Sequence, residues 1–288
     1  MRWLIHRILN KFLEKINLTF YITLNNRKIK IPIITGIGYS NLRTNELWMI
    51  DLLKKLLPLK DGAFIDIGMN VGQTLIKLKC VSPDVQYFGF EPNPLCVYYT
   101  RELIKKNGFK NCEIIPVGIS NKNGIAILNC YNDETDSSAT IVDDFRLQQK
   151  IKYKLFVPVQ SFDYVYGTLN LEKISIIKID VEGSELEVIT SLKSVLRKNR
   201  PIILCEILPP YSITSRRTRQ EKVKKIIKAL NYDICRIQES KNGCLGGLIR
   251  IENFNVHSDP SLQNYLFVPN EIFDRVFNQL NFQTNCKF

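Results

Sequence analysis

The feature that most constrains the fold is an alternation of short apolar runs with helical segments, which begins near Glu46. The apolar runs, rich in isoleucine, valine and phenylalanine, are GAFIDIG, QYFGFE, CEIIPVG, ISIIKID, PIILCEI and YDICRI. Near-continuous apolar runs that alternate with helices are typical of a parallel sheet covered by helices on both faces. The later run QNYLFVP predicts a last strand that is antiparallel, at or near an edge of the sheet.

Length and composition exclude several classes of protein. The 288 residues are 45% hydrophobic and 24% charged, which is typical of a globular domain and excludes collagen-like and disordered chains. No run approaches the roughly 18 apolar residues that a membrane-spanning helix needs. The 8 cysteines form no CxxC pair and accompany only 2 histidines, so we expect reduced thiols, a cytoplasmic location and no zinc site.

The net charge of +12 is unevenly distributed along the chain. Residues 1–30 hold seven basic side chains against Glu14 alone, and residues 216–228 hold seven against Glu221 alone. Such an excess suits an anionic partner, which can be nucleic acid, a membrane surface or a phosphorylated glycan carrier.

Two regions depart from the alternation of strands and helices. Residues 1–45 predict a basic amphipathic helix followed by a β-hairpin that turns at Asn25-Asn26. The helix, over residues 1–17, either packs on the body of the protein or lies on an anionic membrane, which would make the protein membrane-peripheral. The segment 119–160 predicts two strands joined by a long polar stretch, which is either a lid over a site or a surface excursion without function.

One strand, turn and helix carries candidate cofactor-binding residues. In FIDIGMNVG, Gly68 permits a tight turn and Gly72 permits close approach at the start of the helix. Glu91 ends the next predicted strand, where an acid accepts hydrogen bonds from the ribose of an adenosine ligand. Asn70 stands where a dinucleotide-binding loop has its second glycine, which argues against NAD or FAD. The turn favours S-adenosylmethionine, which carries no phosphate.

Acidic residues cluster at the carboxyl ends of the predicted strands, although the chain is basic overall. They are Asp66, Glu91, Asp180 and Glu206, with Glu182 just beyond Asp180. Ligands of open α/β sheets bind at this edge, and carboxylates suit the sulfonium and ammonium charges of S-adenosylmethionine.

Asp180 and Glu182 are our candidate catalytic residues, because acids at strand ends in a ligand cleft are favoured functional sites. They are candidates for a general base, for metal ligands or for groups that bind a substrate hydroxyl. The structural alternatives are a contact of Asp180 with the cofactor turn and a helix cap by Glu182. His257, in a predicted loop, is an alternative base.

Several of these stretches resemble the FkbM-type S-adenosylmethionine-dependent methyltransferases. The matching segments are FIDIGMNVGQT, FEPNP, CEIIPVGISNKNG, VPVQSFD, IIKIDVEGSELEVI, ILCEI and NYLFVP, in the family's order over about residues 46–268. Glu46 also matches an acid of the family. Met69 departs from the alanine that is usual there, which places a larger side chain beside the cofactor turn.

The resemblance implies an α/β fold of the class I methyltransferase type over residues 46–288. In this fold, helices cover both faces of a Rossmann-like, seven-stranded, mostly parallel sheet whose last strand is antiparallel. The resemblance also implies S-adenosylmethionine as methyl donor and in-line transfer to a hydroxyl oxygen of a small molecule, such as a saccharide or glycan precursor. No resident metal is assigned. By motif, the cofactor-binding residues are Asp66, Gly68, Asn70 and Gly72 in the methionine-side turn, Glu91 on the ribose and Asn93 near the adenosine.

Two alternative functions stay open on the sequence alone. The first keeps the cofactor and takes RNA or DNA as substrate, as the charge of +12 and residues 216–228 suggest. No RNA-binding module and no Asn-Pro-Pro-Tyr-like tetrapeptide accompanies them, so nucleic acid is the less favoured partner. The second is a peripheral membrane protein anchored by its basic N-terminal helix.

Overall fold

A computed structural model describes residues 17–281 except Thr44, Asp144, Leu147, Asn170, Ser212 and Lys241. The helix predicted over residues 1–17 falls outside this range, apart from its last residue. The described part opens with a β-hairpin, in which β1 (Leu18–Leu24) pairs antiparallel with β2 (Arg27–Ile33). Asn25 and Asn26 form its turn with φ of 47° and 59°, a left-handed conformation that such two-residue turns require and that asparagine tolerates.

Strands and helices then alternate, with an insertion in the middle of the chain. The elements before the insertion are α1 (Leu47–Leu56), β3 (Ala63–Ile67), α2 (Gln73–Val81), β4 (Tyr87–Phe90), α3 (Pro94–Asn107) and β5 (Cys112–Ile115). The next are β6 (Gly118–Ile119), β7 (Gly124–Cys130), β8 (Tyr153–Gln160), α4 (Phe162–Tyr166), β9 (Ile174–Ile179), α5 (Glu185–Ser191) and α6 (Lys193–Asn199). The last are β10 (Ile202–Glu206), α7 (Thr214–Ala229), β11 (Tyr232–Glu239), β12 (Leu245–Arg250), β13 (Asn264–Pro269) and α8 (Phe273–Asn281).

The large sheet confirms the predicted fold class. Its strand order is β12-β11-β13-β10-β9-β3-β4-β5, in which β10, β9, β3, β4 and β5 are mutually parallel. The last strand, β13, is antiparallel to both of its neighbours, as predicted. It lies between β10 and β11, as the third strand from one edge. An eighth strand, β12, forms the edge by pairing with β11. Sequence patterning did not predict β12 because Gly246 and Gly247 interrupt its apolar run.

Helices cover both faces of this sheet, as predicted. Apolar residues of α4, α5, α6 and α7 form one core layer, and apolar residues of α1, α2 and α8 form the layer on the opposite face. The N-terminal hairpin packs against α2 and α3 through Ile29, Ile31 and Ile33. A hydrogen bond from the backbone N–H of Lys30 to the side-chain oxygen Oδ1 of Asn107 (2.8 Å) joins the hairpin to the end of α3.

The insertion forms a separate three-stranded sheet of order β6-β8-β7. The two long strands, β7 and β8, are antiparallel over their whole length, so the two strands predicted within 119–160 are present. One face of this small sheet is buried through Leu128, Cys130 and Val157.

The basic segment 216–228 offers less free charge than its sequence suggests. Arg216 is buried, with its guanidinium 4.2 Å from the centre of the Phe145 ring. Three further basic residues of the segment form salt bridges: Arg219 with Glu187, Lys224 with Glu221 and Lys228 with Asp233. Within the described part of the chain, no helix has the length and apolar character needed to cross a bilayer.

Candidate active site

A cavity of about 270 Å³ opens at the carboxyl ends of β3, β4, β9 and β10. Six of the eight predicted site residues line it: Gly68, Asn70, Glu91, Asn93, Asp180 and Glu182. Asp66 and Gly72 do not line it. The insertion supplies a further wall, through residues that include Leu128 and Ile141. The strand ends therefore bring together the predicted cofactor and catalytic residues, as the topology of an open α/β sheet requires.

The two glycines of the turn after β3 have different tasks. Gly68 has φ of 85°, and a Cβ there would lie 1.8 Å from the Asp180 carbonyl oxygen, so only glycine lets the turn approach β9 this closely. Gly72 has φ of 76°, and its Cβ would meet Leu103 Cδ2 at 3.0 Å. Gly72 thus allows the start of α2 to pack closely against α3, so the absence of a side chain at Gly72 serves helix packing.

Met69, the departure from the family pattern, is accommodated by the neighbouring strand. The side chain is 2% exposed, and its Sδ occupies the space beside Gly89 of β4, where a Cβ would lie only 2.4 Å away. The absence of a side chain at Gly89 therefore makes room for the larger residue in the cavity wall.

Glu91 joins the two loops that follow β3 and β4 at the cavity. Its Oε2 accepts a hydrogen bond from Asn70 N and its Oε1 accepts one from Asn93 N, both at 2.9 Å. Burial raises the pKa of Glu91 to about 7, although these two backbone hydrogen bonds oppose the shift. Each carboxylate oxygen has a second lone pair, so Glu91 can still accept hydrogen bonds from two ribose hydroxyls.

The two asparagines position backbone around Glu91. Asn70 has φ of 47°, and its side-chain oxygen accepts a hydrogen bond from Val71 N at 2.7 Å. Asn93 caps α3 by accepting from Leu95 N at 3.0 Å, and its amide donates to Glu134 O at 2.5 Å. Asn93 thereby ties the insertion to the end of β4.

A buried lysine that the sequence analysis did not assign connects the cofactor turn with the catalytic candidates. Lys178 Nζ lies 2.9 Å from Asp180 Oδ2 and 3.7 Å from Asp66 Oδ1. Burial lowers the pKa of Lys178, but the carboxylates of Asp180 and Asp66 outweigh it and hold the pKa above its usual value. Asp66, fully buried, also accepts a hydrogen bond from Tyr87 Oη at 2.8 Å. Asp66 therefore lies beneath the cavity lining and contacts it through Lys178.

Three carboxylates meet on the opposite side of the cavity from Glu91. Asp180, Glu182 and Glu206 each place an oxygen within 4.8 Å of the others. Burial, reinforced by the charge of Asp180, raises the pKa of Glu182 to about 8 and that of Glu206 to about 9. Carboxyl groups with raised pKa values in a cleft are typical of sites of acid–base chemistry.

Two residues distant in sequence hold these carboxylates in place. Arg146 of the insertion forms a salt bridge with Glu182, and Gln263 Nε2 donates to Glu206 Oε1 at 2.6 Å. Glu182 has φ of 51°, a strained conformation for a residue with a side chain and one that clusters at functional sites. Glu206 was predicted from the sequence only as one of the strand-end acids, without a catalytic role, and Arg146 and Gln263 were not predicted.

The lining of the cavity is acidic in a basic protein. Among the described residues its titratable members are six carboxyl groups and one lysine: Glu46, Glu91, Asp136, Asp180, Glu182, Glu206 and Lys178. Glu46 pairs with Lys77 at 2.5 Å, which lowers the pKa of Glu46 against the effect of burial. An acidic lining disfavours a pyrophosphate and fits a ligand that carries sulfonium and ammonium groups. S-adenosylmethionine therefore fits the residues present.

His257, the alternative base, is not among the residues that line the cavity. Burial lowers the pKa of its imidazole, and its backbone oxygen accepts a hydrogen bond from Tyr211 N at 3.3 Å. Its position gives no support to a role as base.

We expect Glu206 to make the free protein less stable as the pH rises. Its folded-state pKa of about 9 exceeds the value of an unfolded glutamate, so the folded state binds the extra proton and loses stability as pH increases between these two values. Glu206→Gln removes this titration and should flatten the fall in unfolding free energy between about pH 6 and pH 8.5, by at most about 1.4 kcal/mol per pH unit. Urea denaturation at several pH values measures the slope. The exposed Glu239→Gln is the control and should retain the wild-type slope; an unchanged slope for Glu206→Gln would refute the expectation.

Comparison with known proteins identifies one family over more than half of the chain. The family described as the Methyltransferase FkbM domain matches residues 66–234. The chain is 26% identical over 167 residues to the 2-O-methyltransferase NoeI of Sinorhizobium fredii (strain NBRC 101917 / NGR234), which covers 54% of this chain and 68% of that protein. It is 23% identical over 158 residues to Methyltransferase 1 of Beauveria bassiana (strain ARSEF 2860), which covers 50% and 64%.

The solved structures that match are more distant in sequence. Methyltransferase FkbM from Methylobacillus flagellatus KT is 13% identical with a TM-score of 0.46, and the match covers 75% of this chain and 47% of that chain. The SAH-bound methyltransferase PaMTH1 of Podospora anserina is 12% identical with a TM-score of 0.46, over 93% and 96% of the two chains. This chain therefore spans less than two thirds of the Beauveria protein and under half of the Methylobacillus chain.

Proposed function

Because the chain belongs to the FkbM methyltransferase family, we propose that it transfers a methyl group from S-adenosylmethionine to a hydroxyl oxygen of a saccharide or glycan precursor. Membership of this family confirms S-adenosylmethionine as the predicted cofactor. One observation supports a hydroxyl group as the methyl acceptor. The carboxyl groups of Asp180, Glu182 and Glu206 lie close together in the cavity that Glu91 also lines. The name of the Sinorhizobium relative, a 2-O-methyltransferase, supports transfer to oxygen.

The donor side of the cavity is formed by the turn after β3 and the end of β4. Glu91 is placed to hold the ribose hydroxyls, and the backbone of Gly68 and Asn70 is placed to hold the methionine part. When bound, S-adenosylmethionine supplies a methyl group that its sulfonium already makes electrophilic. The protein therefore has to orient the acceptor, exclude water and remove one proton.

The acceptor side contains the groups that bind and deprotonate a hydroxyl. Glu182 is the base in our proposal, since its pKa of about 8 lies close to neutral pH, where a base is most effective. Arg146 orients this carboxylate, and Lys178 forms a salt bridge with Asp180 beside it. Glu206 and Gln263 are then available to bind a second hydroxyl of a saccharide. The insertion contributes residues such as Ala139 and Ile141 to the cavity wall.

The donor half of the proposal is tested by calorimetric titration with S-adenosylhomocysteine and, separately, with NAD. We expect micromolar binding of the former only. We expect Glu91→Ala to weaken this binding about 100-fold, because two charge-assisted hydrogen bonds to the ribose are lost and two backbone N–H groups lose their acceptor. Glu113→Ala, which changes an exposed glutamate of β5, is the matched control and should bind like wild type.

The acceptor half is tested by transfer of a labelled methyl group to a panel of saccharides and to a mixed RNA pool. Label in a saccharide, lost on heat denaturation of the enzyme, supports the proposal. Label in RNA alone would replace it with the nucleic-acid alternative. Unchanged binding of S-adenosylhomocysteine by Glu91→Ala would refute the placement of the donor.

A further inference from the structure

The outer face of the hairpin formed by β7 and β8 is apolar although it faces solvent. Ile125 lies opposite Pro158 and Ile127 lies opposite Phe156, so these four side chains share one face. Phe156 is 77% exposed and Ile125 is 66% exposed. A sheet that packs on one face normally carries polar residues on the other, so this outer face is an unusual exposed apolar surface.

The packing of the small sheet does not require these residues. Its opposite face holds Leu128 and Val157, which are 5% and 1% exposed and form a small core. Leu128 also lines the active-site cavity. The hairpin thus presents one face to the cavity and an apolar face to the outside.

The strands of the hairpin and their flanks carry basic charges only, whereas the segment that joins them, residues 132–147, holds five acidic residues. Residues 117–131 and 148–161 contain no aspartate or glutamate. Their four lysines are all exposed: Lys122, Lys150, Lys152 and Lys154. Lys152 and Lys154 stand on the same face of β8 as Phe156, because side chains two residues apart along a strand point to the same side. Exposed aromatic and branched side chains flanked by lysines complement the interface of an anionic bilayer.

This charge also decides between possible occupants of the face. A second copy of the chain would bring the same patch against itself in a two-fold pairing. The lysines on the face of one hairpin would then lie close to those of the other, which opposes association. An anionic lipid surface, in contrast, can bury the apolar side chains and pair its negative headgroups with the lysines.

We propose that the outer face of the β7–β8 hairpin, formed by Ile125, Ile127, Phe156 and Pro158 with the flanking lysines, docks on anionic membrane surfaces. The apolar side chains enter the interfacial region and the lysines contact lipid headgroups. The proposal is independent of the reaction and of residues 1–17. It implies that the cavity lies close to the bilayer when the protein is docked, since Leu128 on the inner face of the same hairpin lines it.

Co-sedimentation of the full chain with vesicles tests this surface. We expect binding to phosphatidylcholine vesicles that contain about one third phosphatidylserine, little binding to phosphatidylcholine alone, and loss of binding at high salt. The double variant Ile125→Ser/Phe156→Ser should bind at least about tenfold more weakly, because it removes the most exposed apolar side chains. Lys152→Gln/Lys154→Gln should reduce the salt dependence. Ile249→Ser, 45% exposed on β12, is the matched control.

A local probe separates this face from the rest of the chain. Phe156→Trp should show a blue shift of its fluorescence with anionic vesicles, whereas Ile249→Trp should not. Wild-type affinity in the double variant, with its melting temperature unchanged, would overturn the proposal and assign any membrane binding to another segment. A concentration-dependent dimer that the double variant abolishes would also overturn it, in favour of a second copy.

Discussion

Glu182→Gln is expected to lower kcat for methyl transfer to a saccharide acceptor by about 10²- to 10⁴-fold, the usual contribution of a general base. The substitution keeps the shape of the side chain and removes its ability to take a proton. Binding of S-adenosylhomocysteine should stay within about threefold of wild type, since Glu91 and the turn after β3 are unchanged. The comparison of kcat with donor affinity thus separates loss of the base from loss of the cofactor.

The pH profile gives a readout that a structural role for Glu182 would not produce. Wild-type kcat should rise with pH through about 8, as the carboxyl group loses its proton, and this rise should be absent in Glu182→Gln. Glu187→Gln is the matched control, because Glu187 also pairs with an arginine, Arg219, but does not line the cavity. Near-normal kcat in Glu182→Gln together with a large loss in Asp180→Asn would move the role of base to Asp180.

Lys178→Met is expected to destabilise the protein by about 3–5 kcal/mol, the usual result of removing one partner from a buried ion pair. The change leaves Asp66, which is fully buried, and Asp180 without their shared cation. The pKa of Asp66 is already raised by burial, so it will take up a proton once Lys178 is gone. The loss of stability should therefore be larger at about pH 8 than at about pH 5.5, where protonation relieves it.

Denaturant unfolding of single and double variants measures this coupling. Asp66→Asn/Lys178→Met should recover part of the stability lost in Lys178→Met, because the uncompensated charge is removed together with its partner. Lys173→Met changes an exposed lysine just before β9 and should stay within about 0.5 kcal/mol of wild type. A loss below about 1 kcal/mol for Lys178→Met, independent of pH, would contradict the bridging role.

The sequence predicted those parts of the site that depend on local order. Gly68, Asn70 and Glu91 follow directly from strand–turn–helix segments, and parallel strands necessarily bring their carboxyl ends to one edge. Asp180 and Glu182 could be placed there for the same reason. The family pattern added the cofactor, because its motifs recur in a fixed order along the chain.

The parts that the sequence did not predict depend on contacts between distant segments. Arg146 reaches Glu182 across 36 residues and Gln263 reaches Glu206 across 57, and neither pairing has a local pattern. The position of β13 within the sheet and the addition of β12 likewise depend on strand pairing between remote segments.

Local periodicity thus determined the fold class and the strand-end acids, because each strand, turn and helix is encoded within a few consecutive residues, and the order of the family's motifs added the cofactor. The tertiary structure alone decided which charges neutralise each other, because burial and partner distance set the pKa of a carboxyl group, and neither can be read along the chain. Lys178 illustrates the difference. Its place in the run IIKID is evident in the sequence, whereas its position between Asp66 and Asp180 exists only in the folded sheet.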